Sequence, residues 1–143
     1  MRHATVTTVL DAPREAVFDY MAEIENLPRW ATEFARELKY DADGYRVVNG
    51  LGEFRFEIRA DRDTGVIDMY AGPTKDAMAV FPTRVVALPG GGTAYSFTMF
   101  QGPGMPDELF EAQHASLQRE FRNVEAIFAG GAAPPHSEPR HRV

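Results

Sequence analysis

Residues 93–128, "TAYSFTMFQGPGMPDELFEAQHASLQREFRNVEAIF", predict a strand, a break and a long helix in that order. Apolar residues alternate along the first part, which is typical of a strand with one buried face. The Gly- and Pro-rich run "QGPGMP" ends that strand, and Asp107 begins the helix. The helix carries an apolar seam at helical spacing, which must be buried against another layer. The members of this seam are Phe110, His114, Leu117, Phe121, Val124 and Phe128.

Toward the N-terminus, residues 4–10 are rich in β-branched side chains and predict a first strand. A helix follows in "DAPREAVFDYMAEIEN", with Asp11 or its neighbour as the predicted N-cap and Pro13 in the first turn. Residues 27–30 predict a second short helical turn, because Pro28 cannot lie deep inside a helix. The first helix has one apolar stripe, formed by Val17, Phe18, Met21 and Ile24.

The middle of the chain predicts a series of strands joined by short turns. The clearest is "GEFRFEIRA", residues 52–60, where apolar and charged residues alternate. Short turns between consecutive strands imply an antiparallel meander. The simplest way to bury the seam of the last helix is to lay that helix across the curved sheet. The other predicted strands are residues 34–40, 45–48, 65–71, 77–88 and 93–101.

Composition limits the functional classes. A chain of 143 residues that is 44% hydrophobic fits one globular domain. The absence of cysteine excludes disulfides, thiolate zinc sites and a cysteine nucleophile. A net charge of -6 without a basic run argues against nucleic acid as a partner. No signal-like or membrane-length apolar stretch is present, so a cytoplasmic protein without membrane insertion is predicted. The predicted domain covers residues 1–131, and the Pro-rich tail 132–143 is predicted to be disordered.

Two polar residues are candidates for chemistry. His114 is the polar member of the helical seam: it either bonds one neighbour at the wetter end of the helix or lies in a cavity as a ligand contact or acid/base. No second His lies at helical spacing, so no metal site is predicted. Arg84 lies among apolar residues. Either its aliphatic chain lies along the surface with the guanidinium in water, or the guanidinium anchors a carboxylate of a ligand or of the protein interior. Asp68 and Tyr70 share a strand face that is predicted to point outward.

The aromatic residues of two strands predict either a filled core or a hollow one. Tyr95, Phe97 and Met99 alternate toward one side, as Phe54 and Phe56 do in the earlier strand. Ligand sites are mostly apolar clefts with few polar groups, so such a face is compatible with a pocket between sheet and helix. No phosphate-binding glycine loop, G-x-S-x-G or H-E-x-x-H motif is present, and no cofactor is predicted.

The only Trp of the chain lies in "ENLPRW", residues 25–30, on a connector rather than in a long element. It is a plug for one end of the core, a lid over a cavity, or a contact for a partner. A half-buried Trp can pack one face on the core and turn its indole N–H toward water or a ligand.

Three runs carry a resemblance to a known family: A-P-x-E-x-V-F-x-Y at residues 12–20, N-L-P-x-W at 26–30, and P-G-M-x-D-E-x-F at 103–110. With them the chain resembles the SRPBCC superfamily, the START-like helix-grip proteins that include polyketide cyclase/dehydrase-like families, over residues 3–129. The resemblance implies an α+β fold with a seven-stranded antiparallel curved sheet wrapped around a long C-terminal helix, two short helices after the first strand, and a cavity between them. The cystatin-like fold with cone-shaped pockets is the competing architecture, but it usually begins with helices and ends in the sheet.

The leading hypothesis is therefore binding of a small hydrophobic or aromatic molecule, lipid-like or polyketide-like, by a monomer or homodimer. A polyketide cyclase or dehydratase using His114 as acid/base is the second hypothesis, and an interaction protein without a ligand is the third. Polar orientation of a ligand is assigned to His114 and Arg84. The predicted lining is Trp30, Phe54, Phe56, Arg84, Tyr95, Phe97, Met99, His114 and Leu117.

Overall fold

The computed structural model describes residues 1–130, which form one eight-stranded antiparallel sheet and three α-helices. A short 3₁₀ helix, Ile24–Asn26, lies between the first two helices. The helices are α1 (Arg14–Met21), α2 (Leu27–Trp30) and α3 (Asp107–Ile127). The strands are β1 (His3–Leu10), β2 (Glu37–Asp41), β3 (Gly44–Asn49), β4 (Gly52–Asp61), β5 (Val66–Gly72), β6 (Ala79–Phe81), β7 (Thr83–Ala87) and β8 (Thr93–Phe100).

The sheet has the order β1-β8-β7-β5-β4-β3-β2, and β6 pairs with β5 outside this path. Helix α3 packs against β1 and α2 and buries its apolar seam on the inner face of the sheet. Five of the six seam residues are buried, and His114 is half-buried. The predicted α+β helix-grip architecture is thus confirmed. No helix within residues 1–130 is long and apolar enough to span a membrane.

Strand register fixes which side chains face inward. Tyr95 of β8 lies opposite Val85 of β7 and Thr8 of β1, and all three are buried. On β5, Ile67 and Met69 are almost fully buried. Because side chains alternate along a strand, Asp68 and Tyr70 point to the outer face, as predicted.

Two strand predictions need correction. Residues 77–88 form two strands, β6 and β7, because Pro82 has no N–H to donate to a ladder. This is why the sheet has eight strands rather than seven. The strand predicted from residue 34 begins at Glu37, and Phe34 lies in a loop, residues 31–36, where its N–H bonds to Glu120 of α3.

The helix boundaries bring one further correction. Helix α1 has Pro13 as its N-cap and no side-chain capping bond, so the predicted cap by Asp11 or its neighbour is not formed. Helix α2 has the predicted bounds. The predicted disordered tail, residues 132–143, and the domain boundary at 131 lie outside the described residues.

Candidate functional site

A cavity of about 500 Å³ lies between the inner face of the sheet, helix α3 and the loop 31–36. Most of its wall is apolar, and its polar residues come mainly from α3, the loop and the β3–β4 turn. The apolar residues are Leu27, Trp30, Ala31, Phe34, Leu51, Phe56, Met69, Phe81, Phe97, Met99, Leu109, Ala112 and Leu117. The polar residues are Glu33, Arg36, Asn49, Gln113, Ser116, Arg119 and Glu120, with Gly50 in the turn.

Helix α3 presents a second stripe to the cavity, beside its apolar seam. Leu109, Gln113, Ser116 and Glu120 are spaced four, three and four residues apart, so they share one side of the helix. Each of the four directly precedes a seam residue in sequence, so this stripe lies next to the seam. The helix therefore fills the core with its seam and borders the cavity with this adjacent stripe and with Leu117 of the seam.

Trp30 belongs to both the core and the cavity wall. It is 2% exposed, and its ring makes edge contacts with Tyr95, Phe97 and Phe121 at centroid distances of 6.3, 6.4 and 6.5 Å. Its carbonyl accepts a bond of 2.9 Å from the side-chain amide of Asn123 on α3. The residue thus plugs one end of the core and borders the void on the same side as Phe97.

Glu120 is the buried polar group of the cavity wall, at 3% exposure. Its Oε2 accepts the backbone N–H groups of Glu33 and Phe34 at 3.0 and 2.9 Å. Burial raises the pKa of Glu120 to about 7, although the two N–H bonds oppose this. Because Oε2 is occupied by the loop, the proton of the neutral carboxyl belongs on Oε1. The site therefore holds a group that exchanges a proton near neutral pH.

The loop 31–36 is held on α3 by a second carboxylate. Glu33 accepts two bonds from the Arg119 guanidinium, at 2.8 and 2.6 Å, and one from Ser116 Oγ at 3.0 Å. The hydrogen bond from Arg119 is the main cause that holds the pKa of Glu33 below its usual range. Asn123 adds a contact with Thr32 Oγ1 at 3.2 Å. Part of the cavity wall is thus a loop fastened to the helix by polar contacts.

Tyr95 lies deeper than the cavity wall. Its ring stacks on Phe121 with centroids 5.3 Å apart, and it is fully buried. Burial and the nearby Glu120 carboxyl raise the pKa of Tyr95, so its hydroxyl stays protonated. Within residues 1–130 this hydroxyl has no hydrogen-bond partner.

The structure places the nine predicted lining residues in three locations. Trp30, Phe56, Phe97, Met99 and Leu117 border the cavity. The second group faces inward but does not border the cavity: Tyr95 is fully buried in the core, and Phe54 is half-buried and packs against it. The third group, Arg84 and His114, lies elsewhere.

Arg84 extends on the outer face of the sheet, opposite Val66, and its Nη2 donates to the Thr64 carbonyl at 3.1 Å. His114 lies on the side of α3 that faces β1. Glu125, three full helical turns away, accepts a bond from Thr8 of β1 at 2.7 Å, which fixes that side. The geometry therefore brings neither Arg84 nor His114 to the cavity wall.

Sequence reasoning missed Glu120. Its stripe on α3 has mixed polarity, and such a pattern is indistinguishable from a solvated helix face. The signal that identifies it is tertiary: two consecutive N–H groups of the loop 31–36 converge on one carboxylate oxygen.

A second cavity, of about 410 Å³, lies beside residues 55–58 of β4 and shares Phe56 with the first. Charged residues from several elements border it, including Glu23, Asp43, Arg55, Glu57 and Lys75. The larger cavity is the better candidate site, because its wall is mostly apolar and it contains the buried carboxyl. Within residues 1–130 no group of three or more His, Asp or Glu side chains is placed to hold a metal ion.

No family model matches the chain, and no curated protein matches it. Solved structures do match. XoxI from Bacillus cereus has a TM-score of 0.70 at 13% identity, covering 90% of this chain and 96% of that one. A START superfamily protein from Mycobacterium smegmatis has a TM-score of 0.66 at 13% identity, covering 91% and 99%. The Zhui aromatase/cyclase from Streptomyces sp. R1128 has a TM-score of 0.65 at 18% identity, covering 90% and 92%. At these identities the likeness establishes the fold alone, which is a START-like helix-grip fold.

Proposed function

We propose that this protein binds a small hydrophobic or aromatic molecule in the cavity between the sheet and α3. The observation that carries the proposal is the cavity itself: about 500 Å³, with a mostly apolar wall and one buried polar group. Ligand sites are typically clefts of about 300–1,000 Å³ with this kind of lining. An interaction protein without a ligand has no need of such a void. Three structural neighbours are aromatase/cyclases, so lipid-like and polyketide-like aromatics are the classes to test first.

The proposal predicts that narrowing the mouth of the cavity weakens binding. Ala112 is an exposed residue of α3 that borders the cavity, so Ala112→Phe places a ring over the opening. We expect the affinity for an apolar aromatic ligand to fall by about tenfold or more, which corresponds to roughly 1.4 kcal/mol. Fluorescence of Trp30, the only Trp and a wall residue, measures the binding.

Ala126→Phe is the matched control, since Ala126 is an exposed alanine of the same helix that does not border the cavity. It is expected to bind like the wild type. Equal affinity in all three proteins would place the ligand elsewhere. A broad aromatic and lipid screen without any binding to the wild type would contradict the proposed function.

A polyketide cyclase or dehydratase-type activity is the second candidate function. The observation that favours it is the Glu120 carboxyl, which borders the cavity and whose pKa is raised to about 7 by burial. A general acid/base works best when its pKa lies near the operating pH. Glu120 is therefore a better candidate for this role than His114, which lies on the β1 side of α3.

Proton exchange on a simple ketone tests this second function. If Glu120 abstracts a proton next to a bound carbonyl, the protein speeds deuterium incorporation into the methyl group of 2-acetylnaphthalene in D₂O, measured by NMR. We expect Glu120→Gln to lose the acceleration and His114→Ala to keep it. Acceleration that survives Glu120→Gln but disappears in His114→Ala would return the role to the histidine.

A further inference from the structure

We propose that Glu120 is the polar anchor of the cavity, and that it selects uncharged apolar molecules carrying a carbonyl oxygen, which accepts a hydrogen bond from Oε1–H. This inference rests on the proposed ligand-binding function and names the chemical class of ligand. A ligand of this class has an apolar body that fits the aromatic wall and one oxygen that reaches α3.

The geometry separates Glu120 from the other polar groups of the wall. Of the polar side chains that border the cavity within residues 1–130, Glu120 is the buried one. Glu33, Ser116 and Arg119 bond to one another and lie partly exposed at the rim. A ligand enclosed in the cavity therefore meets one buried hydrogen-bonding side chain.

The loop determines how this carboxyl is used. Oε2 accepts both N–H groups of Glu33 and Phe34, so it is already satisfied. A protonated carboxyl has one O–H donor, whereas an ionised one only accepts. With Oε2 occupied, the neutral form presents its donor on Oε1, and a carbonyl oxygen is its complement. A buried donor that gains such a partner stabilises the complex.

Charged and titratable neighbours face Glu120 from each packed element. The loop contributes Glu33, whose carboxylate raises the pKa of Glu120, and α3 contributes Arg119, which lowers it. The loop also places Arg36 on the cavity wall, and β8 contributes the protonated Tyr95. Burial remains the largest cause, so the donor form is present below about pH 7 and is lost above it.

Two matched probes test the anchor: 2-acetylnaphthalene, which has a carbonyl, and 2-ethylnaphthalene, which lacks it. Their affinities are measured by isothermal titration calorimetry at about pH 5.5 and about pH 8.5, on either side of the Glu120 transition. At the lower pH we expect the ketone to bind about five- to tenfold tighter than the hydrocarbon, the contribution of one buried hydrogen bond. At the higher pH we expect this preference to disappear.

Two variants separate the anchor from a general effect of pH. Glu120→Gln keeps an acceptor for the loop and an N–H donor for the cavity, so the ketone preference should persist at both pH values. Glu125→Gln makes the same change at an exposed carboxylate of α3 that does not border the cavity, and should leave the pH-dependent preference intact.

The outcomes distinguish the two proposals. Equal binding of both probes at both pH values overturns the anchor and leaves the ligand-binding function standing. A preference whose pH dependence is unchanged in Glu120→Gln also overturns it, because another group then provides the donor. If neither probe binds, the ligand-binding function fails for this class and the anchor fails with it.

Discussion

Trp30→Ala is expected to lower the free energy of unfolding by about 3–5 kcal/mol, the usual cost of truncating a buried aromatic side chain. Trp30 is 2% exposed and touches three aromatic rings, those of Tyr95, Phe97 and Phe121. Each such edge contact adds roughly 0.5–1.5 kcal/mol beyond area burial. The substitution also merges the space of the indole with the existing cavity, which the surrounding structure cannot refill.

Urea unfolding followed by circular dichroism measures this effect, because the variant has no Trp fluorescence. Trp30→Phe is the control: it keeps an aromatic ring among the same neighbours and should recover more than half of the loss. A cost below about 1 kcal/mol for Trp30→Ala would mean that the indole rests on the void and contributes little to the core.

The parts of the fold that sequence could predict are those with a strong local period. The seam of α3 and the alternation in β4 each require one buried face, whatever they pack against. The split at Pro82 was readable in principle, since proline cannot donate to a ladder, but an apolar run on both sides concealed it. The local period of apolar residues therefore predicts which helices and strands form, but not where a strand is interrupted.

The candidate site depended on long-range contacts that no local pattern contains. Five apolar wall residues were predicted: Phe56, Phe97 and Met99 face inward on the sheet, and Trp30 and Leu117 belong to the helices that pack against it. Arg84 was ambiguous, and strand register places it on the outer face. The role of Glu120 depends on its contact with Phe34 of the loop 31–36, which is 86 residues away in sequence. The role of a polar residue on a helix face of mixed polarity depends on the group that contacts it in the folded chain.

The burial of Glu120 also makes the stability of the protein depend on pH. Between about pH 4.5 and 7, the native state holds a proton on Glu120 that an unfolded chain, with an ordinary Glu pKa, has released. The native state therefore binds more protons in this window, and the free energy of unfolding falls as pH rises through it. Each pKa unit corresponds to about 1.4 kcal/mol, so the full decrease is about 3 kcal/mol.

The effect of Glu33 on stability has the opposite sign and occurs in a different pH range. Its pKa is lowered by Arg119, so it stabilises the native state above the ordinary Glu pKa, and that contribution is lost as pH falls further. A maximum of stability near the ordinary Glu pKa is therefore expected, with a decline toward neutral pH that belongs to Glu120.

Urea unfolding at several pH values between about 4.5 and 8 measures the decline, and Glu120→Gln provides the comparison. The amide cannot ionise but can still accept the N–H groups of Glu33 and Phe34, so its stability should be nearly flat across this window. The two proteins should differ most above pH 7, where the wild type buries a charge and the variant does not. If the free energy of unfolding changed with pH equally in the wild type and the variant, Glu120 would ionise at the ordinary pKa of a glutamate. The cavity would then contain a carboxylate rather than a hydrogen-bond donor.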